Sequence, residues 1–266
     1  MKKLIGVTGS LGKLGSLLVK REGFATLNGD ITSYSDLTPY LGRFSLIVNC
    51  AGISSIPECE KNEKQAFEVN VRVLAKLHQV FGDKVLTISS DHVFSGGGLF
   101  LPTEKTKPNP VNVYGFSKHG AEAVSEIEGG KVLRLSRAVS VEDKDIRNYL
   151  IDLWNGTDVE VPSFFYRNYI HKEFAVDGIE YFAKHYDEMP SVVHYGGLDN
   201  VSMLEFVGDL ARRLKIFASP TPRKEYYAEN PRPKRGGFSV KLAKKLGFPM
   251  YTVGETIDRL AMDLNA

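Results

Sequence analysis

The chain has 266 residues, 42% hydrophobic and 25% charged, the balance of an ordinary globular protein of one large or two closely joined domains. A net charge of +2 excludes the broad basic footprint of a nucleic-acid binder, and no apolar run approaches the roughly 18 residues of a membrane span. Two cysteines, Cys50 and Cys59, form neither a disulfide framework nor a metal-ligand spacing, and the six histidines add none. We therefore expect no metal and a reducing, cytoplasmic setting. The opening "MKKLIGVTGS" meets glycine too early for a signal peptide.

In chain order, "KLIGVT" (3–8) predicts a strand and "KLGSLLVKREG" (13–23) a helix. "FATLN" (24–28) is a second strand, "SYSDLTPYLG" (33–42) a short helix started by Ser33, and "FSLIVNCAG" (44–52) a buried strand entering a turn. Residues 57–82 predict one long amphipathic helix, with Ala66, Val69, Val73, Leu74 and Leu77 on its apolar stripe. "KVLTISS" (84–90), a helix at "YGFSK" (114–118) and "KVLRLS" (131–136) continue the alternation. Strands alternating with helices imply an α/β, Rossmann-type, doubly wound parallel sheet with ligands at the strand ends. Past residue 137 the rhythm loosens: helices are expected at 145–156, 172–186 and 202–214, extended segments at 158–164 and 191–197, and a proline-rich basic stretch at 219–235 precedes "SVKLAKKLGF" (239–248). The predicted organisation is a dinucleotide-binding domain at 1–137, with returning segments at about 167–197, and a smaller C-terminal substrate-binding lobe from 138–166 and 198–266.

Between the first strand and first helix, "TGSLGKLG" sets Gly9, Gly12 and Gly15 in a G-x-x-G-x-x-G pattern. Glycines there allow a tight turn, close approach of a pyrophosphate and close packing of helix on strand. The loop Gly9, Ser10, Leu11, Gly12, Lys13, Leu14, Gly15 is accordingly the candidate cofactor cradle. Asp30 lies where an acidic residue would bond an adenine ribose, and equally reads as the start of the turn into "SYSDL". Ser10, Lys13 and Arg21 would suit a 2′-phosphate or simply be surface residues, so NAD(H) and NADP(H) both stay open.

Tyr114 and Lys118 are one helical turn apart and share a face. A lysine cation beside a phenol favours the phenolate, making the tyrosine a usable proton donor near neutral pH. An isolated Y-x-x-x-K is more often a surface pair; the context here supplies more. "TISSDHVFSGGG…PTEKTKPNPVNVYGFSKHGAEAV" (87–124) and "VNCAGISSIPECEKNEKQAFEVNV" (48–71) resemble the extended short-chain dehydrogenase/reductases that act on nucleotide sugars, above all the dTDP-4-dehydrorhamnose reductase branch. That branch includes a largely non-catalytic regulatory subunit of methionine adenosyltransferase.

The resemblance implies Ser90, Tyr114 and Lys118 as catalytic residues: Ser90 to hold a carbonyl oxygen, Tyr114 to protonate it, Lys118 to hold the nicotinamide ribose. Ser89 is turned away by strand alternation. Cys50, Ala51 and Gly52, with Val69 and Asn70, match the family's cofactor-lining loop and helix, and Asp30 and Ile31 an adenine-contacting pair. Two departures stand out. The stretch between Gly15 and Asp30 is short, as if a strand and helix were trimmed or fused. His92 also stands where the branch usually has a substrate-reaching tyrosine; it either donates and titrates near neutrality or only packs below the loop.

"RNYIH" (167–171) and "RPKRGGFSVKLAKKLGF" (232–248) resemble family segments whose arginines approach the nucleotide diphosphate. Arg167 and Arg232 inherit that role, with an interlobe ion pair as the alternative. Asp91 and His92 complete the expected substrate contacts. The expectation is NAD(P)H-dependent reduction of a 4-keto nucleotide sugar. Alternatives are an epimerase or dehydratase, and a non-catalytic NADP-binding subunit. Expected partners are a nucleotide sugar but neither nucleic acid nor membrane, with a homodimer left open.

Overall fold

A computed structural model describes residues 3–223, 231–233 and 235–265. Residues 224–230 of the proline-rich stretch and Lys234 of "RPKR" lie outside the described residues. Six parallel strands form the central sheet: β1 (Leu4–Thr8), β2 (Phe24–Thr26), β3 (Phe44–Asn49), β4 (Val85–Ser90), β5 (Lys131–Leu135) and β6 (Val192–Tyr195). Their order is β6-β5-β4-β3-β1-β2. Covered on both faces, the central strands need no polar alternation, which is why "LIV" and "VLTISS" read as near-continuous buried runs.

On one face Ala175, Val176, Ile179 and Phe182 of the helix Lys172–Lys184 cover the sheet; on the other, Leu74 and Leu77 join Leu37, Ile47 and Ala121. The order in which strands are added reverses between β1 and β3, the switch point at which a doubly wound sheet opens a crevice. Beyond β1 there is one strand where the standard order has two. The trimming is local: the predicted first helix is a single turn, Gly15–Leu18, and β2 has three residues.

Two further expectations change. The helix foreseen over 57–82 is broken, because Asn62 leaves helical conformation (φ −140°) and its side chain caps the next segment by accepting from Gln65 N at 3.2 Å. A wider π-type turn, Glu68–Arg72, then leads into Val73–Phe81. The helix Val253–Leu264 was not foreseen. It starts with a capping box, Thr252 and Glu255, and buries Ile257, Leu260 and Ala261.

Those three residues belong to a second core, with Ile146, Leu150, Val161, Tyr169, Phe206 and Leu210. This core, called the second lobe below, sits over the C-terminal strand ends. It takes in Tyr169 and, through pairing with Val201–Ser202, the strand Tyr166–Arg167, so the start of the 167–197 segment expected in the first domain packs here. Ala243 and Phe248 instead pack into the core under the sheet, so the segment around 241–251 crosses back to the first lobe. Among the described residues no helix is long and apolar enough to cross a membrane.

Candidate active site

The strand ends of β1, β3, β4 and β5 and the second lobe enclose a cleft of about 670 Å³. Gly12, Lys13, Leu14, Cys50, Ala51 and Gly52 line one side. Ser90, Asp91, His92, Tyr114 and Lys118 form the floor, and Arg167 and Arg232 face them from the second lobe. Residues from six segments, distant in sequence, are thus brought to one place.

The glycine loop is shaped by close backbone approach. Gly9 adopts φ +63°, and a Cβ there would lie 2.6 Å from Ala51 N; one on Gly15 would lie 2.3 Å from Gly9 O. At Gly12 the place of a Cβ is nearly bare, its one close neighbour being Gly9 O at 3.2 Å. Gly9, Ser10, Leu11 and Gly15 are outside the lining itself. Lys13 reaches across to the second lobe, pairing with Asp143.

Three further expected cofactor residues do not line the cleft. Asp30 is exposed and accepts from Thr32 N at 2.8 Å and Thr32 Oγ1 at 2.6 Å, bonds that hold its carboxyl below the usual range. That is the turn role weighed above. Ile31 packs on the apolar cluster beneath the sheet. Asn70, buried, accepts from Ile53 N (2.8 Å) and donates to Ile53 O (3.0 Å) and Ser117 Oγ (2.8 Å), so it ties the loop after β3 to the Tyr114 helix.

Tyr114 and Lys118 lie on the helix Val113–Ile127, capped by Asn112, whose Oδ1 accepts from Gly115 N at 2.7 Å. Burial pushes the Tyr114 phenol up to about 12, against the pull of its hydrogen bond with Ser90. Burial also pushes Lys118 down to about 8, opposed chiefly by the Glu122 carboxylate. The lowering of the phenol by lysine that the spacing suggests does not appear, because desolvation disfavours both ions. Cys50 is held as a thiol, pushed by burial up to about 12. Ser89 donates to Glu122 Oε1, and Glu122 is clasped by Arg134 at 2.8 and 2.7 Å, whereas Ser90 Oγ donates to Asp91 Oδ1 at 3.3 Å on the cleft floor.

Asp91 is buried and fully engaged. Its Oδ2 accepts from Gly237 N at 3.1 Å and Ser136 Oγ at 3.3 Å, and lies 3.2 Å from Arg167 Nε. Arg167 also donates to Tyr166 O at 2.7 Å. The geometry is that of the interlobe ion pair offered above as the alternative. Sequence reading missed Arg137 and Arg223, which also line the cleft. Arg137 is paired with Asp145 at 2.8 and 2.7 Å. Among the described residues Arg223 donates only to neutral oxygens, Tyr149 Oη and Glu160 O, both at 3.2 Å, and its buried Nε has no partner there. His92 does not titrate near neutrality: burial, together with Arg167, Arg232 and Arg137, pushes it down to about 3 despite Asp91.

With this geometry in place, the comparisons are informative. A family model described as "RmlD substrate binding domain" matches residues 2–265. The chain belongs to this family. Relatives in sequence include dTDP-4-dehydrorhamnose reductase of Streptomyces griseus, 33% identical over 135 residues (46% of this chain, 44% of the relative). The Mycobacterium tuberculosis (strain H37Rv) protein of the same name is 31% identical over 133 residues (44% and 43%). The chain spans about half the length of the curated relatives it matches. Among solved structures, Bacillus anthracis dTDP-4-dehydrorhamnose reductase in complex with NADP superposes with a TM-score of 0.85 at 22% identity, covering 99% of both chains. The RmlD-type fold is therefore shared over the whole chain, while the sequence likeness concentrates in part of it.

Proposed function

We propose that the protein is an NAD(P)H-dependent reductase of a 4-keto nucleotide sugar, similar in chemistry to dTDP-4-dehydrorhamnose reductase. The observation that carries the reading is the convergence of Ser90, Tyr114 and Lys118 on a cleft whose other wall is the glycine loop. The reductase names of relatives and the NADP complex of a fold neighbour support it. The residues present fit NAD(P)H: the place of a Cβ over Gly12 is left bare for a pyrophosphate, and Lys118 lines the same cleft, where its ammonium would hold a nicotinamide ribose. Asp30 is turned into its own loop, so adenosine selectivity rests elsewhere.

When bound, NAD(P)H supplies the hydride for the carbonyl carbon. Ser90 Oγ–H holds the carbonyl oxygen, and Tyr114 Oη gives its proton to that oxygen as charge develops. A phenol whose pKa lies far above 7 is protonated there, the state a donor requires. Around the cleft, Asp91 answers Arg167 and Asp145 answers Arg137, which leaves Arg223 with no carboxylate among the described residues. We assign Arg223, with Arg232, to the substrate diphosphate, and Arg167 to holding Asp91. A dehydratase needs a free acid beside the serine; Asp91 is not free, which favours reduction. The reading includes a cytoplasmic enzyme and leaves a homodimer open.

The test is incubation with NADPH or NADH and a panel of dTDP- and UDP-linked 4-keto sugars, following loss of the reduced-nicotinamide absorbance. Consumption with one of them is expected. Binding of NADPH with no turnover across the panel would instead favour a non-catalytic NADP-binding subunit.

A further inference from the structure

Asn112 does more than cap a helix. Its Oδ1 accepts from Gly115 N at 2.7 Å and its Nδ2 donates to Pro231 O at 2.8 Å. A backbone N–H can only donate and a carbonyl can only accept, so each bond independently fixes which way the amide faces. The second Nδ2 hydrogen then points at His92 Nδ1, 3.3 Å away. Nδ1 must present its lone pair, and in a neutral ring the proton sits on Nε2.

The surroundings keep the ring neutral. Arg167 and Arg232 bear on it from the second lobe and Arg137 from just past the end of β5, and from its own segment only Asp91, itself tied to Arg167. From the helix it meets Tyr114, ring centroids 5.5 Å apart and edge to face, and Asn112. His92 lines the cleft, and no bond to its Nε2 occurs among the described residues.

We propose that Asn112 is a positioning residue that holds His92 as the neutral Nε2–H tautomer, and that this N–H is a hydrogen-bond donor to the sugar beside Tyr114. For its ligand the inference rests on the reductase reading; for the tautomer it rests on the Asn112 geometry alone. A neutral donor suits a site already rich in cations: it orients an oxygen without adding charge and works unchanged across physiological pH.

The first measurement is ¹⁵N NMR of histidine-labelled, cofactor-free protein between about pH 5 and 8, where the unperturbed ring would titrate. His92 is expected to show a protonated Nε2, a bare Nδ1 and no titration. Asn112→Asp keeps an oxygen for Gly115 N but presents an acceptor to Nδ1. The ring should then move its proton to Nδ1 or take a second one, and titrate. Should that variant fail to fold, Asn112→Ser keeps a short cap oxygen that cannot reach the ring, and the tautomer preference should vanish. His92→Phe keeps the ring against Tyr114 and removes the donor; kcat/KM on the active keto sugar should fall on the order of 10²-fold, with NADPH affinity retained. A wild-type His92 that is Nδ1-protonated, or that titrates in this range, overturns the tautomer lock. Wild-type kcat/KM in His92→Phe overturns the donor role. The expected tautomer in a protein that reduces no keto sugar overturns the reductase reading and the ligand together.

Discussion

Arg167 Nε lies 3.2 Å from Asp91 Oδ2, with the two side chains only 8% and 4% exposed, and the pair joins the second lobe to the end of β4. Gly236 is part of the same device, since a Cβ there would stand 1.7 Å from Arg167 Nη1. The basic motif "RPKRGG" therefore needs its first glycine to make room for a guanidinium 69 residues earlier in the chain. Removing one member of a buried pair leaves the other charge uncompensated, at a cost of about 3–5 kcal/mol. Arg167→Ala should lose that much stability in urea denaturation. Arg223→Gln should keep wild-type stability within about 1 kcal/mol and weaken dTDP or UDP binding in calorimetry by about 1.5–3 kcal/mol. The opposite pattern, a stable Arg167→Ala that no longer binds nucleotide, would return Arg167 to the diphosphate.

The glycines of the loop should separate into two behaviours. Gly15→Ala forces a methyl onto Gly9 O and should lower both thermal stability and cofactor affinity. Gly12→Val meets little of the fold but fills the bare place over the loop. It should melt like wild type while losing NADPH affinity in a fluorescence titration. Unchanged NADPH binding in Gly12→Val would remove the loop from the cofactor site.

Tyr114→Phe takes away one hydroxyl from a half-buried ring and leaves its contact with His92. Turnover should drop by roughly 10²–10⁴ with cofactor affinity preserved. Wild-type turnover in this variant would exclude the tyrosine as proton donor.

Lys118 gives a pH dependence whose sign is fixed by its environment. Burial pushes its pKa down to about 8, so the ammonium is present below that pH and lost above it. A charged Lys118 is needed to hold the cofactor ribose, so NADPH affinity and kcat/KM should fall as pH rises through about 8. Glu122, one turn further along the helix, pulls the lysine pKa upward. Neutralising it in Glu122→Gln should therefore move the alkaline limb to lower pH. A limb that stays in place would show that the Arg134 clasp already cancels the carboxylate's field at Lys118.

Much of this protein was legible in one dimension because its signals are local. Strand–helix alternation, the glycines at one strand end, and the turn between Tyr114 and Lys118 each depend on residues within a few positions of one another. The capping box at Thr252 and Glu255 was just as local, and the final helix could have been read from it. The broken helix at 57–82 was hidden because Asn62 can either continue a helix or cap one, and here its side chain caps the segment that follows. What only tertiary structure decided are the relationships that span the chain. Asp91 and Arg167 meet across 76 positions, and Arg223 reaches the cleft on a strand with no motif of its own. The charge states follow the same rule: nothing in the order of residues says that His92 is neutral or that Lys118 titrates near 8. Both are set by how much water the fold removes and which cations and carboxylates it leaves nearby.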